Sequence, residues 1–331
     1  MIQIIVWVEL HINRDMELVH ANQISYEELV NEQIDIVIAA CGIESRSRHL
    51  VEKVKFQAKR KIAILFKDIS GNKSLENNKQ VFEKEGFECH ELPLESSDEL
   101  THLLKKISID SFFENVKLVI DYSSMATIWY GTIISFYAQH ELYCKKLTVY
   151  FCYTPGSFVP RKAFKPSKDD LYPLISHNNS KTNQKPIALI VGLGQNGAKA
   201  DFLCSFFKPG EVHFFFPNPA FDERHTQMLK ESNKNLFAEL KSTQIHHYPA
   251  NNIEEIDSKL RVLCLNLRLK YRVILVSLGP KTFSLASFLL NSRYPDIEIW
   301  HISGVDYKYD LQAADMPIVY KAVLTSEEDD F

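Results

Sequence analysis

Nowhere does the sequence hold an apolar run approaching the ~20 residues that a bilayer-spanning helix needs. Its opening stretch, Met1-Ile-Gln-Ile-Ile-Val-Trp-Val-Glu-Leu10, lacks the basic start and small-residue cleavage site of a secretion signal. It reads instead as a strand over 2–9, and the two absences together predict a soluble protein. There is no basic excess either. Lys and Arg number 38 against 42 Asp and Glu, a formal net charge of −4, so charge does not indicate nucleic acid as a bulk partner. The six cysteines (Cys41, Cys89, Cys144, Cys152, Cys204, Cys264) form no CxxC pair. Neither a zinc framework nor a disulfide framework is expected, and they read as reduced, mostly buried thiols of a cytoplasmic protein. The twelve histidines contain no HExxH pattern. His246 and His247 are adjacent and would face opposite sides of a strand, so no metal site is expected.

What the 331 residues do contain is repetition. The length predicts two domains of about 150 residues. Short runs rich in β-branched and aromatic residues mark buried parallel strands over 34–41, 61–66, 116–120 and 147–153. A second set follows over 187–191, 211–216, 272–276 and 297–302, with similar helices between. Shorter edge segments also match, His90-Glu-Leu-Pro93 against His246-His-Tyr-Pro249. The fold class this predicts is α/β: two tandem Rossmann-like units with parallel sheets, related by a pseudo-twofold duplication. The expected division is 1–159 for the first unit with an extra N-terminal strand, 160–185 for a linker rich in turn formers, and 186–331 for the second.

Ligands of open parallel sheets bind beyond the carboxyl ends of the strands, and that geometry selects four loops. The first is Gly192-Leu-Gly194-Gln195-Asn196-Gly197, a literal GxGxxG between a predicted strand and a predicted helix. Its glycines allow a pyrophosphate close to a helix N-terminus, although no acid ends the next strand to hold a ribose. A structural turn is the alternative. Its counterpart in the first unit, Cys41-Gly42-Ile43-Glu44-Ser45-Arg46-Ser47-Arg48, lacks the glycine pattern. It offers arginines suited to anions, unless they point to solvent from a capped helix. The remaining two are Asp121-Tyr-Ser123-Ser124-Met125-Ala-Thr127 and Ser277-Leu-Gly279-Pro-Lys281-Thr282. An acid or hydroxyl at a strand end followed by hydroxyls can bind anions or act as a base. The alternative is N-capping by Ser123 and Ser277, with Asp121 bonded inside the turn. Trp129, Tyr130, Phe136 and Tyr137 sit at helical spacing and read as core.

This strand, small-residue turn, apolar helix and further strand resemble the ligand loop of CARF domains, the CRISPR-associated Rossmann folds. The matching residues are Ser123, Ser124 and Thr127 in one copy and Gly279, Lys281 and Thr282 in the other. Met125 stands where the second copy has Lys281, and no appended nuclease or winged-helix domain is expected in these residues. The resemblance implies a protein that senses a nucleotide or cyclic oligonucleotide in bacterial antiviral defence, acting with a protein partner or as a homo-oligomer. Two rival expectations stand beside it. One is a nucleotide hydrolase or transferase with Asp121 as base, Ser123 or Cys41 as nucleophile and Arg46 stabilising charge. The other is a structural platform subunit. No cofactor is legible in the sequence.

Overall fold

The computed structural model describes residues 16–94, 96–109, 115–139, 144–160, 166–175, 184–239, 241–303 and 310–326. The strand expected over 2–9 and most of the acidic tail lie outside the described residues. By its contacts the chain divides into two units. One comprises Met1–Gly42, Leu50–Cys152 and Val319–Phe331, the other Ile43–His49 and Tyr153–Ile318.

In the first unit five parallel strands lie in the order β4-β3-β2-β5-β6. They are β2 (Ile36–Cys41), β3 (Arg60–Phe66), β4 (Glu88–Leu92), β5 (Asn115–Asp121) and β6 (Lys146–Tyr153). The intervening helices are α2 (His49–Lys53), α3 (Lys73–Lys84), α4 (Ser97–Ile109) and α5 (Thr127–Gln139). β6 is followed in the sheet by β13 (Ile318–Thr325), whose antiparallel neighbour is β1 (Glu17–Ile24). A short helix, α1 (Tyr26–Val30), opens with a capping box of Ser25 and Glu28.

The second unit repeats the arrangement. β10-β9-β8-β11-β12 are parallel, and β7 (Leu171–Ile175) closes one edge antiparallel to β12. The strands are β8 (Ile187–Gly192), β9 (Glu211–Pro217), β10 (Ile245–Tyr248), β11 (Arg272–Ser277) and β12 (Glu298–Ile302). Its helices are α6 (Gly197–Phe207), α7 (Glu223–Ser232), α8 (Lys234–Glu239), α9 (Ile253–Lys270) and α10 (Lys281–Arg293).

The reason these strands form is visible in how they alternate. Ala188 and Ile190 pack with Phe215, Ile256, Leu260, Phe283 and Leu290 on one face. Leu189 and Val191 pack with Leu203, Phe214, Phe216 and Leu229 on the other. A strand covered on both faces has no polar phase, which is why it reads as an unbroken apolar run. In the first unit Trp129 is fully buried and stacks on Phe66 with ring centroids 4.3 Å apart. Tyr130, Phe136 and Tyr137 are buried beside it in α5, as core residues.

The expected linker and boundaries need correction. Residues 160–185 contain β7, in which Pro173 lies opposite Trp300. A sheet edge tolerates proline because the missing N–H faces no neighbour. The chain passes between units after residues 42, 49, 152 and 318 rather than through one linker, since β13 joins the sheet of the first unit.

Candidate functional site

In both units the first and fourth strands of the repeat are neighbours, and the helices that follow them lead to opposite halves of the sheet. The crevice beyond such a pair is the switch point where open α/β sheets take ligands. The four loops selected from the sequence begin there. Gly192 ends β8 directly opposite Ser277, which ends β11. Asp121 ends β5, and Gly42 follows the last residue of β2.

In the second unit the two loops touch backbone to backbone. A Cβ on Gly194 would sit 1.8 Å from the carbonyl oxygen of Leu278, and one on Gly279 would sit 2.2 Å from that of Leu193. Gly192 and Gly197 are hemmed in the same way, by the Phe283 ring and the Ser232 carbonyl. The loops are tied further by Leu278 N–H to Gly192 O (2.8 Å) and by Asn233 Nδ2 to Gly194 O (3.2 Å). The glycines of the GxGxxG are thus accounted for by protein atoms, not by a pyrophosphate. The acid of a dinucleotide site is also missing, because Asp222 caps α7 and holds Arg224 (2.6 Å).

Two helices start at this edge without a side-chain cap. Asn196 occupies the N-cap of α6 without a side-chain cap bond, and Pro280 at the N-cap of α10 makes none. Gln195, Asn196, Gly279 and Lys281 are half-buried along the rim. Two expected ligand residues are committed elsewhere. Thr282 is fully buried and donates to the Ala250 carbonyl (2.9 Å), while the Ser277 and Ser284 hydroxyls bond each other (2.7 Å). Ser277 therefore caps no helix.

The first unit shows the alternative turn chemistry. Asp121 is buried, and its Oδ1 accepts from the amide (3.0 Å) and the hydroxyl (2.5 Å) of Ser123. Ser123 thus serves the turn and does not cap α5, which starts at Thr127. Ser124 is half-buried and lies against Gly42, where a Cβ would meet its own at 3.1 Å. Cys41 is a poor nucleophile: burial pushes its thiol up to about 12, so it stays protonated at neutral pH.

The Glu44–Arg48 cluster belongs to the second unit. Arg46 does not reach solvent. It is 5% exposed, pairs through Nε with Glu44 (2.8 Å) and donates through Nη1 to the Thr154 carbonyl (3.1 Å). Ser45 donates from its amide (2.6 Å) and hydroxyl (2.8 Å) to Asp310. This polarity, which in the sequence resembled an anion site, is engaged in joining loop to loop.

No family model matches the chain, and no curated protein matches it. Among solved structures, one similar to it is the "putative sarcosine dimethylglycine methyltransferase from Galdieria sulphuraria". The identity is 7% and the TM-score 0.23, over 91% of this chain and 80% of that one. A likeness at that level carries no argument, and the fold rests on the strand order itself.

One histidine reports the electrostatics of this edge. His301, in β12, packs edge-on against Tyr172 with centroids 5.5 Å apart. Burial, and then the positive charge of Lys199, lower its pKa to about 4. Lys199 itself donates to the Ser303 carbonyl (3.0 Å). Because the folded pKa lies below the unfolded value, the unfolded state binds the extra proton first as pH falls. The neutral ring is therefore fully compatible with folding above about pH 6.5, and stability drains away between there and pH 4, by about 2 kcal/mol at pH 5. Urea unfolding at pH 7 and pH 5 should show that loss in the wild type and a smaller one in His301→Gln. Equal losses would place the pH sensitivity elsewhere. Among the described residues no group of three or more His, Cys, Asp or Glu could hold a metal, and no helix is long and apolar enough to cross a membrane.

Proposed function

We propose that this protein binds, and acts as a sensor of, a phosphate-bearing nucleotide-type ligand at the carboxyl edge of its second sheet. The observation that carries the reading is the pair of helix N-termini, α6 and α10, that start at one switch point without side-chain caps. Backbone amides and helix dipoles at such ends favour anions. Lys281, the first residue of α10, adds a cation at the rim, and Lys199 in α6 adds a second close to the His301 ring. The resemblance to CARF loops supports a cyclic oligonucleotide as ligand and a partner protein as receiver of the signal in antiviral defence. In the second copy that resemblance rests on Gly279 and Lys281, since the Thr282 hydroxyl is committed to Ala250.

The enzymatic alternative is weaker. Asp121 is engaged in its own turn, and Cys41 is held as a thiol.

The test is calorimetric titration with linear and cyclic nucleotides, alongside mass spectrometry of small molecules that copurify. Lys281→Ala should weaken binding by about 10- to 100-fold, the worth of one charge-assisted hydrogen bond, with the melting temperature nearly unchanged. Absence of any copurifying or titratable nucleotide would end the proposal, as would a Lys281→Ala variant that binds as tightly as the wild type.

A further inference from the structure

Away from that edge, β9 and β10 bring two histidines together that lie 33 residues apart in sequence. In the parallel register His246 lies beside Phe215, two residues beyond His213 on the same face of β9. The Nδ1 of His213 and the Nε2 of His246 are 3.1 Å apart. His246 stacks on the Phe215 ring with centroids 4.8 Å apart, while His247 turns to the opposite face against Phe216. Behind the pair, the other nitrogen of His213, Nε2, faces Glu211 Oε1 at 3.4 Å.

We propose that His213 and His246 form a two-imidazole site for a divalent transition-metal ion, with Glu211 orienting His213 from behind. The geometry is that of a chelate. A metal about 2.0–2.1 Å from each of two nitrogens 3.1 Å apart subtends about 100°, between the square-planar and tetrahedral angles. Ligating histidines characteristically direct their second nitrogen to a carboxylate, which fixes tautomer and ring orientation, and Glu211 Oε1 stands 3.4 Å from that nitrogen as an ion-pair contact, near enough to take that place. With its proton on Nε2, the side near Glu211, His213 presents a lone pair at Nδ1. In the metal-free pair His246 fills the gap as a donor. With metal present, His246 carries its proton on Nδ1 instead, so entry needs a tautomer change and no net proton. The ring of His246 is half-buried on an edge strand, and water completes the coordination. Imidazole pairs favour the borderline ions, Cu2+ most strongly and Zn2+ among the others.

The test uses the full chain with Cu2+ and, separately, Zn2+ as probes. Calorimetry should find one ion per chain, and electron paramagnetic resonance of the Cu2+ form should show two coordinated imidazole nitrogens. His213→Gln and His246→Gln should each cost at least 50-fold in affinity and leave one imidazole nitrogen in the spectrum. Glu211→Gln should cost about 10-fold, the usual worth of an orienting carboxylate. His247→Ala, on the opposite face, should change nothing. Circular dichroism of each variant separates misfolding from loss of a ligand. If either glutamine variant fails to fold, the two-nitrogen spectrum of the wild type, with Glu211→Gln and His247→Ala, still decides. Binding that survives both glutamine substitutions, or a wild-type spectrum without two nitrogens, would overturn the assignment.

Discussion

Gly194→Ala is expected to destabilise the second unit by about 3 kcal/mol or more, near the upper end of what overpacking costs. The added methyl would lie 1.8 Å from the Leu278 carbonyl oxygen, against a fixed backbone rather than a flexible side chain. To relieve the overlap the loops after β8 and β11 must separate, and Leu278 N–H to Gly192 O stretches with them. Gly210 in the same unit is the control. Its added methyl would find Pro186 at 3.5 Å and Tyr271 at 3.6 Å, ordinary contact distances, so Gly210→Ala should stay within about 1 kcal/mol. Urea unfolding of both variants makes the comparison. If Gly194→Ala is tolerated as well as Gly210→Ala, protein packing is not what demands the glycine, and a closely approaching phosphate returns as its explanation.

That contrast marks where the sequence was legible. The eight central strands of the repeat were readable within a residue or two, because strands buried on both faces leave continuous apolar runs such as Val273-Ile-Leu-Val276. The strands added outside the repeat were not. β7 carries a proline and sits in a turn-rich stretch, β1 mixes polar and apolar residues without clean alternation, and β13 joins β1 across nearly the whole chain. A local pattern does not encode which sheet a distant strand completes. The positions of the candidate loops followed from the strand pattern, and so did the turn bond at Asp121 as one of two readings. Which glycines face protein and which hydroxyls are already bonded did not follow, since Leu278, Ser284 and Ala250 make those contacts from elsewhere in the unit. The His213–His246 pair escaped for the same reason: its spacing is set by strand register, and a search for short motifs has no access to that.

Arg46→Met is expected to cost about 3 kcal/mol, the low end for stranding one partner of a buried ion pair because the Glu44 side chain keeps 21% exposure. The guanidinium is 5% exposed, and its Nε meets Glu44 at 2.8 Å. Its Nη1 reaches the Thr154 carbonyl, and Gly156 leaves room for it, since a Cβ there would stand 3.2 Å from Nη1. The neighbouring bonds of Ser45 to Asp310, of the Arg46 amide to Leu311 O and of Ser157 to Gln312 O join three segments of the second unit around this side chain. Methionine keeps the apolar stem but removes the Arg46 donor from the Glu44 carboxylate and the Thr154 carbonyl. Replacing both charges, Arg46→Met with Glu44→Gln, should restore part of the loss, because no uncompensated charge then remains. Unfolding free energies of the two single variants and the double variant give that coupling directly. A ligand-contacting arginine would behave in the opposite way, with affinity lost, stability kept and no rescue by Glu44→Gln. That outcome would return Arg46 to the binding site; the buried geometry predicts the stability loss and its partial rescue.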